Sequence, residues 1–186
     1  MPEWFLDRLW PGLVAWTVLY ISDYSLTIAC ARLYQAGARD KIALEGSYEI
    51  TPYFERDIDA LRRVSPRFLA ALLLSLVWLS AIWWLAMDTW PELYSFGLGA
   101  VVLMELAVHM RHLRNLFLFR ALVGSDSVRG RIEYPRPLML RMSSIEFLAF
   151  SGLYLVVFLF TGSWFVLGGV MGCLSLAGKH LRLARR

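Results

Sequence analysis

Residues 66–87, PRFLAALLLSLVWLSAIWWLAM, decide what kind of protein this is. After Arg67 in the opening turn, no charged residue follows until Asp88. As an α-helix the stretch is about 33 Å long at about 1.5 Å per residue, which matches a hydrocarbon core about 30 Å thick. Ser65 and Pro66 at its start suit an N-cap and the first helical position. A helix apolar on every side has no face to offer water, and a bilayer is the solvent it fits.

Four more stretches have that character: residues 10–33, 93–112, 137–160 and 164–178, the last being the shortest. Thr161, Gly162 and Ser163 divide an apolar run too long for one crossing and predict a hairpin, and Asp88 to Glu92, with Pro91, predicts another tight turn. Composition agrees. Of 186 residues, 58% are hydrophobic and 18% charged, against about a quarter charged in soluble domains; the mean hydropathy is +0.52. The expectation is a single integral-membrane domain over residues 1–186: an all-α, polytopic transmembrane bundle with cytoplasmic loops at 34–65 and 113–136.

The basic residues orient it. Of 19 Lys and Arg, Arg8 alone precedes the first span. The rest fall between Arg32 and Arg67, between Arg111 and Arg141, and in the tail from Lys179 to Arg186, while the two tight turns carry none. Basic loops favour the cytoplasmic side, so the N-terminus is expected outside and the C-terminus inside, in a prokaryotic-type cytoplasmic (inner) membrane. Trp4, Trp10, Trp83, Trp84, Trp90 and Trp164 all fall near the expected outer boundary, where indole rings settle at headgroups. The net charge of +4 and pI near 9.3 are thereby explained by orientation, with no nucleic-acid partner implied. Glu3 and Asp7 before the first span, and Asp23 within it, argue against a cleaved signal peptide.

The loops have their own patterning. Phe54, Ile58 and Leu61 recur at helical spacing among charges, which predicts a short amphipathic helix on the membrane surface or packed on the other inner loop. Before it, Glu45 and Glu49 with Gly46 and Pro52 predict an ordered turn able to fold toward the inner mouth of the bundle. Gly124, Ser125, Asp126, Ser127 and Gly130 read as flexible, with the third helix continuing toward Leu122. Most basic side chains are expected on anionic lipid headgroups, including Arg114 and Arg120.

Asp23, Glu105 and Glu146 lie inside the spans, at roughly 20, 18 and 22 Å from the expected outer boundary at about 1.5 Å per residue. Each is costly in lipid and must face the bundle or an aqueous cavity. His109 and His112 follow Glu105 at i+4 and i+7 on one helix face, and Lys179 is about as deep as Glu146. Thr17, Tyr20, Asp23, Tyr24 and Thr27 form a polar stripe on the first span. Three readings compete: buried ion pairs such as Glu146 with Lys179 or Glu105 with His109, a cation or proton site, and a metal-dependent enzyme site. Two turns separate Glu105 from His112, so one divalent ion is expected to take Glu105 and His109 plus Asp23 or Glu146, with His112 interfacial against lipid phosphate. No phosphate-cradling Gly-rich loop, no nucleophile turn and no Cys-x2-Cys pair is present. Cys30 and Cys173 differ in depth by roughly 16 Å, too far for a disulfide. Gly168 with Gly172, and Gly169 with Cys173, suit close helix approach within one chain.

Asp23-x3-Thr27, followed by Glu49-Ile50-Thr51-Pro52, resembles an Asp-x3-Thr and Glu-x-Asn-Pro pattern of small prokaryotic multispan membrane proteins, with Thr51 in place of the asparagine. The likeness covers the first third of the chain. It implies that Asp23, Thr27 and Glu49 form one unit, and it brings no activity with it. The functional expectation is cation (proton or metal) transport or channel-like behaviour, in a homo-oligomer. A membrane-embedded metal enzyme acting on a lipid-like substrate and an accessory subunit are the alternatives.

Overall fold

A computed structural model describes residues 8–124 and 129–185. Trp4, the acids Glu3 and Asp7, the Ser125–Ser127 stretch and Arg186 lie outside the described residues. Five helices are long and apolar enough to cross a membrane, and the architecture is all-α apart from one small strand pair. In chain order the elements are α1 (Leu9–Leu33), β1 (Ile42–Leu44), α2 (Glu55–Asp59), α3 (Pro66–Ala86), α4 (Pro91–Gly124), β2 (Ile132–Tyr134), α5 (Arg136–Thr161) and α6 (Trp164–Leu183). Past α1 the chain turns widely over Tyr34–Ala38, with a kink at Gly37 (φ 151°), and a last short helical turn spans Arg39–Lys41.

The helix ends follow their sequence signals. Ser65 Oγ accepts the amides of Arg67 and Phe68 at the start of α3, and Pro66 opens the helix. Gly162 closes α5 at φ 62°, left-handed backbone that suits glycine. α6 runs to Leu183, one turn and more beyond the expected 178.

Helix α4 is the centre of the bundle, packed on α1, α3 and α6, while α6 fills the space between α4 and α5. The α4–α6 approach depends on small residues. A Cβ at Gly168 would overlap the Phe96 carbonyl, and one at Gly172 the Ala100 carbonyl. The glycine pair therefore serves a contact within the chain, as its spacing suggests. The half of the bundle nearer the two tight turns is an apolar core of Trp16, Leu72, Leu79, Tyr94, Leu98 and Phe165.

Two loop features differ from the sequence reading. β1 and β2 pair in parallel, Ile42 against Ile132 through Leu44 against Tyr134, tying the two basic loops together. The short amphipathic helix α2 docks on the bundle, and its Glu55 accepts from Arg136 Nη2 at 3.5 Å, at the end of the other basic loop. Ile58, 1% exposed, packs with Tyr24 and Phe68 of α1 and α3. Asp57 accepts from Ser65 Oγ at 2.5 Å and Arg62 Nη1 at 3.2 Å. An apolar side chain and a satisfied carboxylate on one face make docking onto the bundle the favourable solution.

Candidate functional site

Where α1 packs on α4, each helix contributes polar side chains to one level. From α1 come Ser22, Asp23 and Thr27; from α4 come Glu105, His109 and His112, one face over two turns. Ligand atoms of Asp23, Glu105 and His109 all lie within 4.8 Å of one another. Glu105 is 5% exposed. Among the described residues, Asp23 Oδ1 and Glu105 Oε1 have no hydrogen-bond partner. Two adjacent carboxylates with bare oxygens in a buried setting are costly unless a cation or a proton completes them.

The histidines are held differently. His109 Nδ1 lies 2.8 Å from the Glu105 carbonyl, which can only accept, so Nδ1 carries a proton. Its Nε2 lies 2.6 Å from Ser22 Oγ, and Ser22 also reaches the Leu19 carbonyl at 2.9 Å. The serine hydroxyl can turn to Leu19 and accept from a charged His109, or turn to Nε2 and donate to a neutral one. His112 is 4% exposed and buried in the site, which corrects its expected interfacial place. Asn115 Nδ2 donates to Tyr48 OH at 3.3 Å, and Tyr48 OH lies 3.0 Å from His112 Nδ1; the Asp23 carboxylate near Nε2 favours the ring proton there, which makes Tyr48 the donor to Nδ1. The Nε2–H of His112 then points at Thr27 Oγ1, 3.3 Å away, and Asp23 Oδ1, 3.4 Å away, without a well-formed bond to the carboxylate. Tyr48 lies outside the five long helices, and burial pushes its phenol well above the usual value, so it stays a donor.

The other expected site residues go elsewhere. Glu146 pairs with Arg114 and not with Lys179, which is exposed beside Arg182. Helical rotation is the reason. Ser144 faces α6, donating to the Ala177 carbonyl at 2.9 Å. Glu146 and Lys179 each lie two residues past those positions, about 200° around their helices. Glu105 and His109 are joined through the Glu105 carbonyl and make no carboxylate ion pair. Glu45 accepts the Arg136 amide at 2.8 Å and caps α5. Glu49 accepts the Thr51 amide at 2.7 Å within its own turn. Of the stripe on α1, Thr17 bonds the Leu13 carbonyl, Tyr20 stacks on Phe68 and Tyr24 donates to the Arg62 carbonyl. Cys30 and Cys173 are buried free thiols.

A cavity of about 360 Å³ adjoins the cluster on the side of the basic loops. It lies between the strand pair, the Tyr48–Ile50 segment, α4 and α5, with His112, Glu49, Arg111, Arg114, Ser143 and Glu146 in its walls. His112 thus separates the cavity from Asp23.

No family model, curated protein or solved structure matches this chain. What the site can do must come from its own chemistry. Two carboxylates and an imidazole suit a divalent ion such as zinc or manganese. His109 already donates its Nδ1–H to a backbone carbonyl, as metal-bound imidazoles do. Bonds of about 2.1 Å would bring donors to about 3.4 Å of each other, so no pair in the trio would have to close by more than about 1.4 Å on loading.

Sequence reading missed Ser22, Tyr48, Arg111, Ser143 and His180. Arg111 looks like a loop cation from charge alone. In the fold its Nη1 donates to Ser143 Oγ at 2.7 Å, and His180 Nδ1 lies 3.0 Å from the same oxygen. Tyr48 sits inside the Glu45–Pro52 turn expected near the inner mouth, which was the available signal.

Proposed function

We propose that this chain is a five-span membrane protein, N-terminus outside and C-terminus in the cytoplasm of a prokaryotic inner membrane, that binds a divalent cation in exchange for a proton at Asp23, Glu105 and His109. The observation that carries it is the buried trio itself, ligand atoms of Asp23, Glu105 and His109 within 4.8 Å of one another, with Asp23 Oδ1 and Glu105 Oε1 lacking a formed hydrogen bond. In the cation-free state a proton on the cluster balances one carboxylate. A divalent ion takes the Nε2 lone pair and releases that proton. The cavity supports loading from the side of the basic loops. The apolar core beyond the site closes the other direction, so release across the membrane requires α1 to move against α4, within one chain or a homo-oligomer.

Metal content of protein purified in mild detergent, by plasma mass spectrometry, tests the site. One divalent ion per chain is expected, lost in Glu105→Gln and His109→Ala. Background metal in the wild type would overturn the reading. Glu105→Gln is also expected to melt no lower than metal-free wild type, because it removes a partnerless buried carboxylate. A clear loss of stability would make Glu105 structural. Metal flux into proteoliposomes then separates transport from the enzyme reading. The cavity against His112 favours the latter as the second possibility, and bound metal without flux would select it.

A further inference from the structure

The cavity has features that a cation does not use. Its volume of about 360 Å³ is in the range of small-molecule sites. Leu44, Ile50, Leu118, Phe119, Met139 and Met142 make much of its wall apolar. Met142, at the depth of Arg111, is 42% exposed, so the apolar wall reaches the bundle surface there. The polar wall holds two cations, Arg111 and Arg114, and two carboxylates, Glu49 and Glu146. Glu146 is held by Arg114 and Glu49 accepts its own turn's amide. Among the described residues Arg111 has a neutral hydrogen-bond partner alone, Ser143, and its guanidinium stands 5.6 Å over the Phe147 ring. Asp23 and Glu105 act on it through space without a hydrogen bond.

We propose that this cavity binds one anionic phospholipid of the surrounding membrane, its phosphate on Arg111 and Arg114 and an acyl chain leaving past Met142 toward the bilayer. The two arginines are three residues apart on one face of α4, and guanidinium groups match phosphate geometry. Arg111 is eighteen residues from Leu93, about 27 Å along the helix, which puts it at the level of the inner headgroups. Arg114, its side chain 56% exposed, can offer its remaining guanidinium donors to a phosphate while it stays paired with Glu146. The apolar side chains of Met139 and Met142 beside the arginines suit an acyl chain better than the polar body of a soluble phosphate ester. The site rests on the bilayer placement proposed above and not on the cation.

Native mass spectrometry of delipidated protein, titrated with phosphatidylglycerol or phosphatidylcholine of the same chains, tests it. The wild type is expected to retain one phosphatidylglycerol per chain, at least tenfold more tightly than phosphatidylcholine. Arg111→Gln should lose at least tenfold, with partial rescue by Arg111→Lys, and Met142→Trp should lose a similar factor by obstructing the chain exit without touching a charge. Equal retention of both lipids would overturn the site. So would an equal loss in Arg182→Gln, which would mean diffuse attraction to basic residues, or displacement by equimolar oleate, which would assign the cavity to a free carboxylate. Should Arg111→Gln fail to fold, Met142→Trp decides alone. Metal content of the same samples reports on Asp23, Glu105 and His109 separately, and failure to sediment with membranes would point to the bilayer placement instead.

Discussion

His109 and His112 sit three residues apart on α4 yet present different nitrogens to Asp23 and Glu105. His109 gives its Nδ1–H to a carbonyl and keeps Nε2 for Ser22 or an ion. His112 has its Nδ1 occupied by Tyr48 and directs an Nε2–H inward. The Tyr48 hydroxyl therefore helps to hold that tautomer, and Tyr48→Phe is expected to loosen it. Long-range ¹⁵N spectra of the imidazoles should show one His112 tautomer in the wild type and a mixture in the variant. The phenol also predicts a pH effect of definite sign. Burial raises its folded pKa above the unfolded value of about 10, so its contribution to stability is fully present below about pH 10 and is lost as pH rises through the raised value. Absorbance at the phenolate band should accordingly show Tyr48 neutral at pH 10, where a difference spectrum against Tyr48→Phe stays flat. Much of this cluster was legible beforehand. Glu105 and His109 declare themselves by i, i+4 spacing, and Asp23 joins them by equal depth. Tyr48 and Ser22 were not, since a hydroxyl on a loop or helix gives no sign of its partner until the chain is folded.

Contacts between whole elements are set by size as much as by polarity. The α4–α6 seam brings backbone to within reach of backbone at Gly168 and Gly172, whereas Gly152 on α5 has nothing within 4 Å of an added Cβ. The two positions should answer substitution in opposite directions. Gly172→Leu has to push a carbonyl of α4 aside, and overpacking of that kind costs about 3 kcal/mol or more. Gly152→Ala should be neutral or stabilising by up to about 1 kcal/mol through helix propensity alone. Thermal unfolding in detergent distinguishes these, and equal effects would mean that α6 is not seated as described. The helices themselves were readable because each depends on local apolar length and on caps such as Ser65 and Gly162. The strand pair was not. Three residues carry too little pattern, and Ile42 meets Ile132 only after two long helices have brought the loops together. The docking of α2 was half readable: Ile58 marks an apolar face, but its neighbours Tyr24 and Phe68 belong to helices far from one another in sequence.

For the molecule as a whole, the deciding asymmetry is between its two ends. The tight turns at 88–90 and 162–163 carry no Lys or Arg, while the ends with β1, β2 and α2 carry most of them. Trp10, Trp84, Trp90 and Trp164 are exposed at the first end, with Trp90 and Trp164 in edge contact at 6.3 Å. A bilayer would accept that distribution in one orientation, with the indoles at the outer headgroups and the arginines inside. Both the loading direction of the cation and the headgroup level of Arg111 follow from it, so the orientation is the proposal on which the others lean. It is open to a direct test because Cys30 and Cys173 are both buried, which leaves little background for a thiol reagent that does not cross membranes. Asp88→Cys should be labelled in intact cells. Gly130→Cys, at an exposed position of the second basic loop, should be labelled only after permeabilisation. The reverse pattern would invert the topology and place the cavity on the outer face. Labelling of both in intact cells would mean that the chain inserts in either direction, and a cation gradient could then be coupled only by paired, oppositely oriented copies.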